Sequence, residues 1–194
     1  MLLLVIIPKN NIFNKLTKGI KKMSKTLENL AAAFAGESQA RNKYTFWAKV
    51  ARKEGYNYIA DIFEETAMNE MQHAKDLFKM LDGIKSTKEN LKAAAAGEQY
   101  EVETMYPTFA KEAEEEGNKD AARLFSNIAK VEKHHEARYE KLLSLVESGD
   151  VFERSEPIKW KCGKCGYVHE GTKPPTKCPT CHHPYNYYIP EDID

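Results

Sequence analysis

Two Glu-x-x-His pairs constrain this chain more than any other feature: Glu70 and His73 in NEMQHAK, and Glu132 and His135 in EKHHEARY. Each pair lies on the stripe that a helix of 3.6-residue period turns toward a core. Residues 26–147 carry that period, broken at Gly55, Asp82-Gly83 and Gly117. The breaks predict four helices, roughly 26–54, 57–81, 87–116 and 118–147. Ser86 and Glu89 have the spacing of a capping box that opens the third. The second stripe runs Ile59, Phe63, Thr66, Glu70, His73, Leu77, Met80. The fourth runs Ala121, Phe125, Ile128, Glu132, His135, Tyr139, Leu142. The first begins at Leu27 and sets Glu37 between Phe34 and Tyr44, and the third sets Glu98 and Glu101 between Ala94 and Met105. His134 is turned about 100° from His135 and is expected to face solvent or a neighbour.

Each stripe is apolar at both ends and ionisable in the middle. Four facing helices would bring Glu37, Glu70, His73, Glu98, Glu101, Glu132 and His135 together at mid-height. Clustered carboxylates raise one another's pKa, and a buried charge costs several kcal/mol even after relaxation. Cations resolve the conflict. Glu and His three residues apart occupy adjacent turns of one face, about 5–6 Å between Cβ atoms, so both reach one metal. A donor set of carboxylates and two imidazoles suits a pair of iron or manganese ions. One Glu-x-x-His alone is commonly a solvated helix face. Two, each on the apolar phase and joined by carboxylates on the other two helices, point to a metal centre.

The helices also repeat. AAAFAGESQARNKYTFWAKVARKEG (31–55) resembles LKAAAAGEQYEVETMYPTFAKEAEEEG (91–117), but the second copy has one residue more between its glycines. Glu37 matches Glu98 before the extra residue, and Tyr44 matches Tyr106 after it. A helix absorbs one extra residue as a π-bulge, which is expected here between Gly97 and Pro107. Two copies of a helix pair would set the ligands around a pseudo-two-fold axis.

After Gly149 the character changes. Residues 149–158 read as a linker, and a small domain follows over 159–194. All four cysteines fall in it, as Cys162/Cys165 and Cys178/Cys181. Two Cys-x-x-Cys pairs this close specify a tetrahedral thiolate site for iron or zinc rather than a disulfide framework. With four sulfurs completing the tetrahedron, His169, His182 and His183 are read as neighbours rather than ligands.

The 29 basic and 29 acidic residues balance to a formal net charge of +0, which argues against nucleic acid as a partner. No apolar run reaches membrane-spanning length. Residues 1–23 have no counterpart in the pattern. Their apolar start is short, ends at Pro8 and lacks a preceding basic residue, so it is a poor secretory signal. Without arginine or serine in residues 1–22, an organelle-targeting reading is not favoured. The segment is read as an extension upstream of Met23, poorly ordered, on a cytoplasmic protein.

From 24 onward the chain resembles rubrerythrin. The order of motifs carries the resemblance: Glu37, Glu70-x-x-His73, Glu98-x-x-Glu101 and Glu132-x-x-His135, then a four-cysteine tail. It implies a mainly α fold, with a ferritin-like four-helix bundle over 24–148 and a rubredoxin-like domain of short β-strands over 159–194. It implies a di-iron site in the bundle and one iron in the tail. The activity implied is reduction of hydrogen peroxide to water in oxidative-stress defence. Electrons would pass from an NAD(P)H-linked reductase or a rubredoxin through the tail, in a homodimer whose tail can serve the partner's site head-to-tail. By position the resemblance makes Glu70 and Glu132 bridging ligands and Glu37 terminal on one iron. Glu98 and His135 become terminal on the other. Glu101 and His73 alternate on one iron with its oxidation state, and Tyr44 and Tyr106 place hydroxyls near the metals. One departure stands out: His182-His183-Pro184 follows the last cysteine, where plain rubredoxins carry glycine.

The competing readings are a ferritin-like ferroxidase with a structural zinc ribbon, and a non-catalytic metal-binding scaffold. His73 beside Glu101 favours the enzyme over iron storage, and the identity of the tail metal separates the enzyme from the scaffold.

Overall fold

The computed structural model describes residues 24–192, and residues 1–23 lie outside the described part. The chain forms two compact units divided between Lys85 and Ser86. The first is a helical hairpin of α1 (Lys25–Lys53) and α2 (Asn57–Met80). Ser24 caps α1 through its side chain, which accepts from the Leu27 N–H. Gly55, at φ 89°, ends it. The Tyr56 N–H reaches Ala51 O and the Gly55 N–H reaches Arg52 O, the pairing of a Schellman motif.

The second unit opens at Ser86. The Ser86 side chain accepts from the Glu89 N–H while the Glu89 carboxylate accepts from the Ser86 N–H, as the capping box requires. Helix α3 (Thr87–Tyr100) runs into a π-helical turn (Glu101–Met105) and continues as α4 (Tyr106–Glu115). The Tyr106 N–H bonds to Glu101 O, five residues back, so the expected π-bulge lies between Gly97 and Pro107. Pro107 lacks an N–H and falls at the start of α4, where none is needed. All three segments pack along α5 (Lys119–Ser148).

Inside both hairpins the buried seam is alanine. It comprises Ala48, Ala51, Ala60, Ala67 and Ala74 in the first, and Ala110, Ala113 and Ala122 in the second. Small side chains let paired helices approach closely. Among the larger members of the expected stripes, Leu27, Ile59 and Met80 stay exposed, while Phe34, Phe63 and Leu77 are half-buried. A two-helix hairpin buries only its seam, and the stripe flanking the seam needs a further layer.

The end of the second unit is a three-stranded antiparallel sheet of β1 (Ile158–Cys162), β2 (Val168–Gly171) and β3 (Tyr188–Pro190), in the order β2-β1-β3. Its core is Trp160, Cys162, Cys178 and Tyr188. The Trp160 indole N–H donates to Gly171 O at 2.8 Å. The segment read as a linker contains a short turn, Asp150–Phe152. Arg154 pairs with the Asp192 carboxylate at 2.7 Å and also donates to Asp150 O. Lys141 on α5 donates to Asp192 O. Beside Arg154, Asp192 is held below the usual carboxylate range. His182 adopts φ 60°, matching Gly166 at φ 78° after the second cysteine of the first pair. Histidine therefore takes a left-handed turn that glycine would take without steric cost.

The π-turn absorbs the extra residue, so Glu98 and Tyr106 keep the phase that Glu37 and Tyr44 have in the first repeat. Deleting Val102 should restore a regular helix without rotating the flanks, changing only the turn itself and the direction of Glu101. The expected outcome is unchanged helical circular dichroism with bundle metal retained by elemental analysis, and loss of the metal would refute it.

Candidate metal centres

Each hairpin builds one cluster of carboxylates and an imidazole. On the first, α1 presents Glu37 while α2 presents Glu70 and His73 one turn apart. Glu70 Oε2 lies 2.8 Å from His73 Nδ1, and Glu37 Oε1 lies 4.0 Å from the same nitrogen. On the second, α3 presents Glu98, and α5 presents Glu132 and His135. The corresponding separations are 2.5 Å from Glu132 Oε2 and 3.9 Å from Glu98 Oε2 to His135 Nδ1. Within each cluster one ligand atom per residue lies within 4.8 Å of the others. His135 is half-buried, whereas His134 is exposed and belongs to no such cluster.

The likeness extends beyond the ligands. Tyr44, Trp47 and Phe63 form an aromatic trio with ring centroids 5.6–6.1 Å apart. Tyr106, Phe109 and Phe125 form its counterpart, 5.6–6.5 Å apart. Tyr44 to Tyr106, Phe63 to Phe125, Glu70 to Glu132 and His73 to His135 are equal steps along the chain. Glu37 to Glu98 is one residue shorter, because the π-turn lies between Glu98 and Tyr106. Trp47 and Phe109 escaped the sequence reading, although carrying the repeat past the tyrosines would have paired them.

Glu101 opens the π-turn and stands just outside the close second cluster. Burial, then the charges of Glu98 and Glu132, raise its carboxyl above the ordinary range. Burial and then Glu101 likewise raise the Tyr106 phenol, so its hydroxyl feels this acidic group. Tyr44 takes its place in the first trio.

The donor chemistry fits divalent iron or manganese. Glu37 is raised by burial and then by Glu70, and Glu98 by burial and then by Glu132. Carboxylates that oppose one another's ionisation are relieved by a cation between them. Among the described residues no other group of carboxylates and imidazoles could hold a metal ion.

The four cysteine sulfurs form the third cluster, all within 4.8 Å of one another. Cys162 and Cys181 Sγ are 3.7 Å apart, and Cys165 and Cys178 Sγ are 3.6 Å apart. A tetrahedron with metal–sulfur bonds of about 2.3 Å has edges of about 3.8 Å, so one metal fits. The backbone of Cys165 and Lys164 donates toward Cys162, and that of Cys181 and Thr180 toward Cys178. Although burial opposes it, the Tyr188 hydroxyl and these N–H groups lower Cys178 to about 6. Donors aimed at sulfur stabilise thiolates. The nearby histidines stay out of this cluster; His183 packs edge-on against Tyr187 at 4.9 Å.

Residues 28–143 match the family model described as Rubrerythrin, and residues 160–189 match the one described as Rubrerythrin, rubredoxin-like domain. The chain belongs to the rubrerythrin family. It is 52% identical to the rubrerythrin of Porphyromonas gingivalis, over 95% of this chain and 96% of that one. It is 46% identical to the rubrerythrin of Nitratidesulfovibrio vulgaris, over 86% and 94%. A structure solved as the fully reduced, all-ferrous state of nigerythrin shares 33% identity, over 98% of this chain and 100% of that one, with a TM-score of 0.33. The fold class is thus that of a ferritin-like helical domain with a rubredoxin-like domain, carrying carboxylate and histidine candidates for a di-iron site and a four-cysteine site. Among the described residues no helix is long and apolar enough to cross a membrane.

The phase of the fourth helix separates its adjacent histidines. His134→Ala should leave bundle metal at the wild-type level, and His135→Ala should lose one or both ions per site. Elemental analysis of the two purified variants checks this, and equal loss would refute it.

Proposed function

We propose that the protein reduces hydrogen peroxide to water, with electrons from an NAD(P)H-linked reductase or a rubredoxin entering through the four-cysteine tail. One observation carries the reading: a single chain holds carboxylate–imidazole clusters that suit a pair of redox metals together with a closed four-sulfur site. The overall change is H2O2 + 2 H+ + 2 e− → 2 H2O. Two irons in the bundle would supply both electrons and an open position for the peroxide.

The chain's own residues do the rest. Glu70 and Glu132 would serve as shared ligands of the metal pair, Glu37 as a ligand of one ion, and Glu98 and His135 as ligands of the other. Glu101 and His73 offer an anionic and a neutral ligand, so the site accommodates two charge states. The Tyr106 hydroxyl, which feels the Glu101 carboxylate, would hydrogen-bond the peroxide, and Tyr44 is its counterpart in the other repeat. Cys162, Cys165, Cys178 and Cys181 fill a tetrahedron and leave no room for peroxide, which limits the tail to passing electrons.

Removal of one terminal carboxylate leaves six ligands. Glu101→Ala should therefore keep most bundle metal yet slow peroxide turnover several-fold, and full activity would remove Glu101 from the reaction. The tail is tested by Cys162→Ser, which should lose the thiolate–iron absorption and keep the bundle iron. The chemically reduced variant should be oxidised once by peroxide at the wild-type rate, while NADH-driven steady turnover collapses. Sustained NADH turnover without tail iron would make the tail structural, and a wild-type tail loaded with zinc would favour the ferroxidase reading.

A further inference from the structure

One buried polar atom in the small domain has no ordinary partner. Among the described residues, the Tyr188 hydroxyl is the buried side-chain oxygen or nitrogen that no hydrogen bond satisfies. Tyr188 is 3% exposed and opens β3, directly opposite Cys162 on β1. Strand alternation turns Tyr188 and Pro190 inward and Ile189 outward. Trp160, the other aromatic ring of this core, has its polar atom satisfied, since its indole N–H donates to Gly171 O. A buried hydroxyl without an acceptor destabilises a fold, and phenylalanine would fill the same space without one. A hydroxyl at this place therefore calls for an acceptor.

The core supplies sulfur. Tyr188 packs in one cluster with Trp160, Cys162 and Cys178, and both cysteines are buried. The other two sulfur ligands stand differently, with Cys165 exposed and Cys181 half-buried. Solvent can donate to those two but does not reach Cys178. Backbone N–H groups of Cys181 and Thr180 point at Cys178, as those of Cys165 and Lys164 point at Cys162. Those donors come with the two knuckle turns, whereas Tyr188 is a side chain brought in by a separate strand. Burial resists charge on Cys178, and the Tyr188 hydroxyl is the strongest influence that offsets it. Burial and then Cys178 raise the Tyr188 phenol in turn, so it keeps its proton for donation. A phenolic hydrogen rotates to suit its acceptor, so donation to sulfur needs no change in the fold.

We propose that the Tyr188 hydroxyl donates a hydrogen bond to Cys178 Sγ and, acting through that sulfur, raises the reduction potential of iron held by the four cysteines. The sulfurs bear more negative charge around ferrous than around ferric iron, because the added electron is shared with them. A donor aimed at sulfur stabilises that charge and so favours the ferrous state. One electron is gained, and no bond to the metal forms or breaks. The tail then takes electrons more readily from its donor. This rests on the reading that the tail holds iron and passes electrons.

Tyr188→Phe tests it, since the change removes one oxygen and keeps the ring. In a redox titration followed by the thiolate-to-iron absorption, the equilibrium constant for reduction should fall about tenfold, which is about 59 mV for a one-electron couple. The absorption band should also move to longer wavelength, because a sulfur without its donor gives up electron density more easily. Tyr185→Phe removes an exposed phenol of the same domain and should change neither quantity. An unchanged potential in Tyr188→Phe would show that the ring only packs the core, and a raised one would reverse the sign of the effect; either overturns the proposal.

A second measurement uses the unaltered chain. With spin-active cadmium in the tail, nuclear magnetic resonance should show the Tyr188 hydroxyl proton coupled to the metal through Cys178 Sγ, beside the couplings of the knuckle N–H groups. Couplings from the N–H groups without one from the hydroxyl would overturn the proposal. A wild-type tail that takes zinc and refuses iron would instead defeat the underlying reading, because the cadmium coupling would persist with no potential to raise.

Discussion

Carboxylates facing one another on apolar helix surfaces are the constraint on which this structure depends. Glu37 and Glu70 on one hairpin, and Glu98 and Glu132 on the other, each resist ionising beside their neighbour. Without a cation, a core built on those faces would bear several kcal/mol per buried charge. With one, the same residues become the reason for the fold. The alanine seams let paired helices approach closely, and the aromatic trios stand at matching positions along the two repeats.

The π-turn shows how a local irregularity serves that constraint. One extra residue between Glu98 and Tyr106 gives the third helix a carboxylate, Glu101, that the first helix does not have at the matching place. The two half-sites are therefore related by a repeat but are not chemically equal.

The tail answers a different need. Sulfur separations of 3.6–3.7 Å leave space for one metal and nothing else. Backbone N–H groups around Cys162 and Cys178 favour their thiolates, and Trp160 and Tyr188 give the small sheet its core. Arg154 and Asp192, far apart in sequence, bind the linker to the C-terminal strand. The tail's four sulfurs form a closed set, while the carboxylate–imidazole clusters of the hairpins are partly exposed.

Much of this was legible in the sequence because helical periodicity and ligand spacing are local properties. The four helical spans, the π-turn, the side-by-side choice of His135 over His134, and the four-cysteine cluster all follow from residues a few positions apart. Family membership followed from the order of those motifs. The covering of the stripes did not follow. Periodicity marks Leu27, Ile59 and Met80 as apolar-phase residues but says nothing about how many helices are present to bury them. The Arg154–Asp192 pair was equally silent, since no pattern links residues so distant. Sequence determined which side chains face the same way on each helix. Only the tertiary structure decided that each hairpin gathers three ligands and leaves its apolar flank open, because burial depends on neighbours that no single helix specifies.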